Sequence, residues 1–440
     1  MSSRRRQCRV FLESFGCSSN VADGEFMSGC LLEAGFDLVN SAEEADVLIY
    51  NTCAVKTPTE NRAIELLKKA PTLKTHKKKL LVTGCLPLIN FKRLKDEVNF
   101  DAVLGPSCGS GVVETLQKII DNKPVSPKKP SQNAKPSLCF PRHAVNPVIS
   151  IVPVAQGCLG SCSYCCVVFA RGHLHSFSID DVVKRIKSDL LCGAREVWLT
   201  GQDMGSYGKD IGVNLAELLG KGCALEGNYM VRVGMMTPNL ALEILPDLVE
   251  AFRNEHVFKF VHLPVQSGDN RVLELMNREY SIEDFMQIVE TFRNTIQNIT
   301  VATDIICGFP GESSGAFDRT LGLIKEIKPD VVNISKFFPR PGTAAEKMKP
   351  KVSLEEVSER SKRATSLVRK ISFEKNRKWL HWKGRILVDE RGKRANTLIG
   401  RNFAYKPIVI RNHSPSLLGT FVDVKVTAAF QTYLAAEIVD

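Results

Sequence analysis

Short apolar runs alternate with amphipathic stretches along most of this chain. In the first part, Arg9 to Ser14, Asp46 to Tyr50, Lys79 to Val82 and Asp101 to Leu104 read as strands, with helical periodicity between them. Strand and helix in regular alternation predict a doubly wound parallel α/β domain over 7–120. Residues 121–147 break the pattern with six prolines, five Lys or Arg and one Asp, and read as a surface linker in which Cys139 is incidental. A second βα series then begins. Ile149 to Val154, Glu196 to Thr200, Met230 to Gly234, Phe258 to His262, Ile299 to Ile306 and Val331 to Lys336 are its strands, and Ile179 to Leu191, Leu240 to Arg253 and Ile282 to Arg293 are among its helices. Six such strands predict a (β/α)6 partial barrel over 148–377 with its chemistry at the C-terminal strand ends. The series closes with a capping box, Ser353-Leu354-Glu355-Glu356, and a basic helix whose apolar face carries Leu354, Val357, Ala364, Leu367 and Ile371. From 378 to 440 the runs are short and alternating (Arg385 to Val388, Pro407 to Arg411, Thr420 to Thr427), which predicts a small antiparallel β barrel.

Composition narrows the partners. The 440 residues carry a net charge of +11, which favours a polyanion, and the last segment alone holds ten Lys or Arg against five Asp or Glu. Trp379, Trp382, Phe403 and Tyr405 are interleaved with those charges and suit either base stacking or a small core. Lys74 to Lys79 is a second basic run. No apolar run reaches the ~18 residues of a membrane span. Fourteen cysteines behind an opening without signal-peptide character predict a reducing, cytoplasmic setting in which some thiols hold metal.

The cysteines fall into two informative groups. Cys158, Cys162 and Cys165 form a CxxxCxxC run directly after the first barrel strand. Closed iron–sulfur or structural zinc sites take four protein ligands, so three leave one metal vertex open to a small molecule. A zinc knuckle with a distant fourth ligand is the alternative. Cys17, Cys53 and Cys85 follow three strands of the first domain, and ligands of an open α/β sheet sit beyond the strands' carboxyl ends. A second three-thiolate site is therefore expected there, against the alternative of three inert buried cysteines.

The order of these parts, with Ser14-Phe15-Gly16-Cys17, Asn51-Thr52-Cys53-Ala54-Val55, Gly84-Cys85, Ala170-Arg171-Gly172, Thr200-Gly201-Gln202-Asp203, His262 to Gly268, Thr303 to Glu312 and Pro339 to Thr343, resembles the radical S-adenosylmethionine (radical SAM) methylthiotransferases. The stretch Trp198 to Gly212 resembles the archaeal and eukaryotic branch, which acts on N6-threonylcarbamoyladenosine (t6A) of tRNA. Cys166 and His175 depart from the family's usual residues, and no role is assigned to them or to His173.

The resemblance implies two [4Fe-4S] clusters, a radical one on Cys158, Cys162 and Cys165 and an auxiliary one on Cys17, Cys53 and Cys85. It implies SAM contacts from Tyr164, Gln202, Asp203, Gln266, Ser267, Ile305 and Gly308. A C-terminal RNA-binding TRAM barrel is implied too. Arg171 is assigned to a substrate carboxylate or phosphate, with a surface ion pair as the alternative; Lys393, Arg394 and Arg401 are assigned to RNA. The expected reaction is methylthiolation at C2 of t6A in the anticodon loop by a monomer, with an electron donor such as flavodoxin or ferredoxin and a sulfur source. Related enzymes acting on isopentenyladenosine or on a ribosomal-protein aspartate, and a non-enzymatic zinc RNA-binding protein, are the rivals.

Overall fold

The computed structural model describes residues 8–70, 78–125, 128–131, 137–411 and 414–439. Lys74 to Lys77 of the second basic run therefore lie outside the described residues.

Five parallel strands open the chain: β1 (Arg9–Ser14), β2 (Asp37–Leu38), β3 (Val47–Thr52), β4 (Lys79–Gly84) and β5 (Ala102–Val103), in the order β2-β1-β3-β4-β5. Every residue of β3 is buried, as a central strand covered by helices on both faces requires. The strand order reverses between β1 and β3, so the crevice beyond their carboxyl ends is the natural ligand position. The helix Ser18–Glu33 starts there, with Cys17 at its N-cap.

The second series supplies β6 (Ile149–Pro153), a small antiparallel pair of β7 (Ala155–Gln156) and β8 (His175–Ser176), then β9 (Glu196–Thr200), β10 (Met230–Val233), β11 (Phe260–His262), β12 (Thr300–Cys307) and β13 (Val331–Lys336). Strands β6, β9 and β10 form one parallel sheet and β11, β12 and β13 another. A single bridge, Val231 to Val257, joins them into an open barrel of six strands in sequence order. Its outer face carries the largest hydrophobic core, including Val152, Val197, Val231, Val261 and Val301. On β6, Ile149 and Ile151 point the other way and pack with Trp198 against Val21 and Ala22 of the helix Ser18–Glu33. The first unit thus seats a helix against the barrel.

The stretch read as a surface linker is partly interior. Leu138 is buried, and Arg142 is clamped between Glu25 and Asp189, each at 2.8 Å with all three side chains buried. Proline content marks an irregular backbone but says nothing of what it packs on. Two further expectations change. The stretch Leu240 to Arg253 is two helices, Pro238–Glu243 and Leu245–Phe252, the second carrying Pro246 in its first turn. The Ser353 hydroxyl does accept from the Glu356 N–H at 3.2 Å, but the Glu356 carboxylate turns to Arg360 instead of completing the capping box, and Leu354 is exposed.

The last unit is a closed barrel of β14 (Lys383–Arg391), β15 (Thr397–Arg401), β16 (Pro407–Arg411), β17 (Phe421–Ala429) and β18 (Leu434–Ile438), antiparallel apart from the parallel β16–β18 pair. Tyr405 locks it to the (β/α)6 barrel: its ring lies 4.8 Å from Phe258 and 5.1 Å from Phe260. The Lys406 ammonium donates to Asp330 at 2.7 Å, both buried.

Glu60 on the helix Thr57–Lys69 is 1% exposed and accepts from Arg340 and, at 3.1 Å, from Arg93. Arg340 belongs to the loop after β13, so this buried pair ties the first unit to the barrel. Removing one partner strands the other charge. Glu60→Met, which leaves the buried Arg340 without its carboxylate, should lower the unfolding free energy by about 3–5 kcal/mol, read by denaturant titration of the apoprotein.

Candidate functional site

Both cysteine groups open onto one cavity of about 690 Å³ whose wall includes Cys17, Cys53, Cys85, Cys158, Cys162 and Cys165. The first three arrive on the carboxyl ends of β1, β3 and β4. Gly16 turns the chain at φ 106°, and a Cβ there would lie 2.5 Å from the Cys53 Cβ, so only glycine lets Cys17 stand this close to Cys53. The second three follow β7, where Gly157 (φ 81°) leaves no room either: a Cβ would meet the His173 carbonyl oxygen at 2.0 Å. Around the same loop, Ser163 donates to the Leu275 carbonyl at 2.8 Å and Asn277 donates to the Ser161 carbonyl at 3.0 Å.

Burial raises the Cys53 and Cys158 thiols and pushes those of Cys85 and Cys165 up to about 12. Thiols in such a place stay neutral until a metal takes them, and ligation then releases the protons. A guanidinium stands beside each group. Arg278 donates to the Cys162 sulfur at 3.1 Å and packs over Tyr280 at 4.9 Å. Arg171 neighbours Cys17 and Cys85. Among the described residues no three side chains converge on a single-ion position. A four-iron cluster has no such requirement, since each thiolate takes a different iron. Three cavity-lining thiols and a nearby cation fit such a cluster at both places: Cys17, Cys53 and Cys85 would hold one and Cys158, Cys162 and Cys165 the other.

The helix Ser18–Glu33 couples the two groups. Its first-turn Ser18 hydroxyl lies 2.7 Å from that of Thr200, and Gln202 donates to the Ser19 hydroxyl at 3.3 Å. Gln202 also accepts from the Gly157 N–H at 2.6 Å, touching the loop of the second group.

Of the expected SAM contacts, Tyr164, Gln202, Asp203 and Gln266 line the cavity. Asp203 accepts from the Gly205 N–H at 3.0 Å, the Thr237 N–H at 3.1 Å and the Thr237 hydroxyl, which fixes its carboxylate although burial raises its pKa. Ser267, Ile305 and Gly308 are not among the residues that line the cavity. Ser267 and Ile305 are buried, the Gln266 carbonyl takes the Ile306 N–H, and Gly308 packs against Val357. Their strand-end position is as expected, and the pairing between the segment after β11 and β12 occupies the Gln266 N–H and carbonyl.

The expected RNA contacts divide as well. Arg171 is 5% exposed, pairs with Asp23 at 2.7 Å and lines the cavity, so it is not a surface ion pair. Arg401 pairs with Asp389 and Glu390 at 3.1 Å and covers Tyr405, which removes it from an RNA surface. Lys78 donates to the Ala42 and Glu43 carbonyls and Lys79 pairs with Asp101. Trp379 and Tyr405 are interior, whereas Lys393, Arg394 and Phe403 are exposed. His262 is held by Asp304 at 3.0 Å, Cys166 and Cys307 are buried in the cores, and His173 and His175 are exposed. Arg278, Arg142 and Asp23 went unread, because lone charged residues carry no local pattern.

A six-stranded open barrel with three thiols in its first loop is the architecture of a radical SAM enzyme, and residues 152–324 match the radical SAM superfamily. Residues 9–105 match the uncharacterized protein family UPF0004 and residues 384–439 the TRAM domain. The chain is 40% identical to the protein named Probable threonylcarbamoyladenosine tRNA methylthiotransferase in Pyrococcus horikoshii, over 98% of this chain and 99% of that one. It is 33% identical to the human threonylcarbamoyladenosine tRNA methylthiotransferase, over 95% of this chain and 72% of that one. The chain belongs to the radical SAM methylthiotransferase family, in the branch of these proteins. In fold it is similar to the radical SAM methyltransferase TsrM from Kitasatospora setae (TM-score 0.59, 13% identity, 77% of each chain covered).

Gly16→Ala should push Cys53 off its position and cut iron content by about half on reconstitution, with far-UV circular dichroism unchanged; elemental analysis reads the loss.

Proposed function

We propose that this chain converts t6A at position 37 of tRNAs reading ANN codons to its 2-methylthio derivative by radical SAM methylthiolation at C2. The observation that carries the reading is the meeting of both three-cysteine groups in one cavity, which puts a radical-generating site and a sulfur-holding site within reach of one substrate base. The identity to relatives named for t6A over nearly the whole chain favours t6A over isopentenyladenosine or a ribosomal-protein aspartate, and the TRAM match favours RNA.

Cys158, Cys162 and Cys165 hold the radical [4Fe-4S] cluster in this reading, and Cys17, Cys53 and Cys85 hold the auxiliary one. When bound, the clusters supply the electron that cleaves SAM and a place for the sulfur that is methylated. The protein's part is position and exclusion of water. Gln202 and Asp203 face the methionine end of SAM; the Asp203 carboxylate, preset by Thr237 and Gly205, receives an ammonium group without reorganising. Tyr164 and Gln266 border the nucleoside end. Arg278 offsets the charge of the thiolate at Cys162. Lys393 and Arg394, exposed on the β14–β15 loop, contact tRNA phosphates and position the anticodon loop without reading its bases. The working units are 7–120, 148–377 and 378–440, with 121–147 connecting them. A monomer suffices, because both cysteine groups come from one chain; a flavodoxin or ferredoxin type of donor and a separate sulfur source complete the system. Among the described residues no helix is long and apolar enough to cross a membrane, and cytoplasmic placement belongs to the same proposal.

Iron and acid-labile sulfide after anaerobic reconstitution test the two-cluster core of this reading. About eight irons per chain should fall to about four in the Cys158→Ala, Cys162→Ala, Cys165→Ala variant. Zinc without iron would refute it.

A further inference from the structure

The loop after the radical-site cysteines sends one side chain away from them. The helix Val167–Arg171 begins two residues after Cys165, and its last residue, Arg171, reaches the other cysteine group. The guanidinium is almost wholly out of solvent. It donates to the Asn20 carboxamide oxygen at 3.2 Å and the Ser107 hydroxyl at 3.3 Å and pairs with Asp23 at 2.7 Å.

The pair is oriented. Arg171 lines the large cavity together with Cys17, Cys53 and Cys85 and also a smaller pocket that it shares with Asp23, whereas Asp23 does not line the large cavity. Burying a guanidinium is costly unless it is paired and hydrogen-bonded, and the site supplies both without turning the cation away from the thiols.

We propose that Arg171 is a positioning residue of the auxiliary site: its guanidinium, held by Asp23 and Asn20, compensates the negative charge gathered at Cys17, Cys53 and Cys85 and thereby raises the reduction potential of the cluster they hold. The inference rests on the two-cluster reading. It assigns Arg171 to the protein's own electrostatics, not to RNA or substrate. Because the residue is six positions from Cys165, a displacement of the radical-site loop also changes the field at the auxiliary site.

The test is a redox titration with dithionite and mediator dyes, monitored by electron paramagnetic resonance. It uses the full chain carrying Cys158→Ala, Cys162→Ala and Cys165→Ala, so that only the auxiliary cluster takes up an electron. Arg171→Gln should lower the midpoint potential and alter the spectrum of the reduced cluster, and Arg171→Lys, which keeps the charge, should restore most of the shift. Asp23→Asn, which leaves the cation uncompensated, should move the potential upward. This variant decides the matter even where Arg171→Gln loads no iron. A loaded Arg171→Gln cluster with an unmoved potential, or an unmoved potential in Asp23→Asn, overturns the proposal. Absence of iron from the parent triple variant instead overturns the two-cluster reading beneath it.

Discussion

The arrangement depends on one contact, the docking of the first turn of the helix Ser18–Glu33 on the carboxyl end of β9. Ser18 meets Thr200, Ser19 meets Gln202, and Gln202 in turn holds the Gly157 N–H that opens the radical-site loop. Without that turn the two cysteine groups belong to separate sheets with no reason to face each other. The apolar side of the same helix, Val21 and Ala22 on Ile149, Ile151 and Trp198, supplies burial that makes the docking favourable. Buried charge makes it specific. Glu25–Arg142–Asp189, Asp23–Arg171 and Glu60–Arg340 all join the first unit to the (β/α)6 barrel or its connecting segment, and each penalises any other alignment by stranding a charge.

Electrostatics then divide the cavity into two sites. Thiols whose burial disfavours ionisation are readied for metal, and one guanidinium stands beside each group, Arg278 at the radical site and Arg171 at the auxiliary one. Neither arginine is free to neutralise RNA. In the proposed reading the basic charge that serves tRNA lies elsewhere, on exposed positions such as Lys393 and Arg394, apart from the buried arginines beside the thiols.

Much of this was legible in the chain because it is periodic or punctuated. Glu196–Thr200 and Val331–Lys336 appear as read, and β3 differs by a residue or two at each end. The two-residue edge strand Asp37–Leu38 is too short to leave a pattern. The six cysteines were legible through spacing and strand-end position, which local sequence does encode. Strand-end position alone did not reveal that Ser267, Ile305 and Gly308 lie outside the cavity wall, beside a cross-strand bridge from Gln266 to Ile305. The partners of Arg171 and Arg401 were hidden for a different reason: a basic side chain looks alike in sequence whether it meets phosphate or a carboxylate brought up by folding, and Asp23 is 148 positions from Arg171, too distant for any local signal. The aromatics of the last barrel obey the same logic, since Tyr405 has Phe258 and Phe260 as partners only in the folded chain.

Nucleoside mass spectrometry on t6A-containing tRNA tests the central claim most directly. The reconstituted protein, with SAM, sulfide and a reductant, should yield 2-methylthio-t6A. Variants lacking either cysteine group should yield none, because the two sites act on one base in one cavity. Product from a chain lacking Cys17, Cys53 and Cys85, or unaltered t6A with the intact and fully loaded protein, would contradict the account.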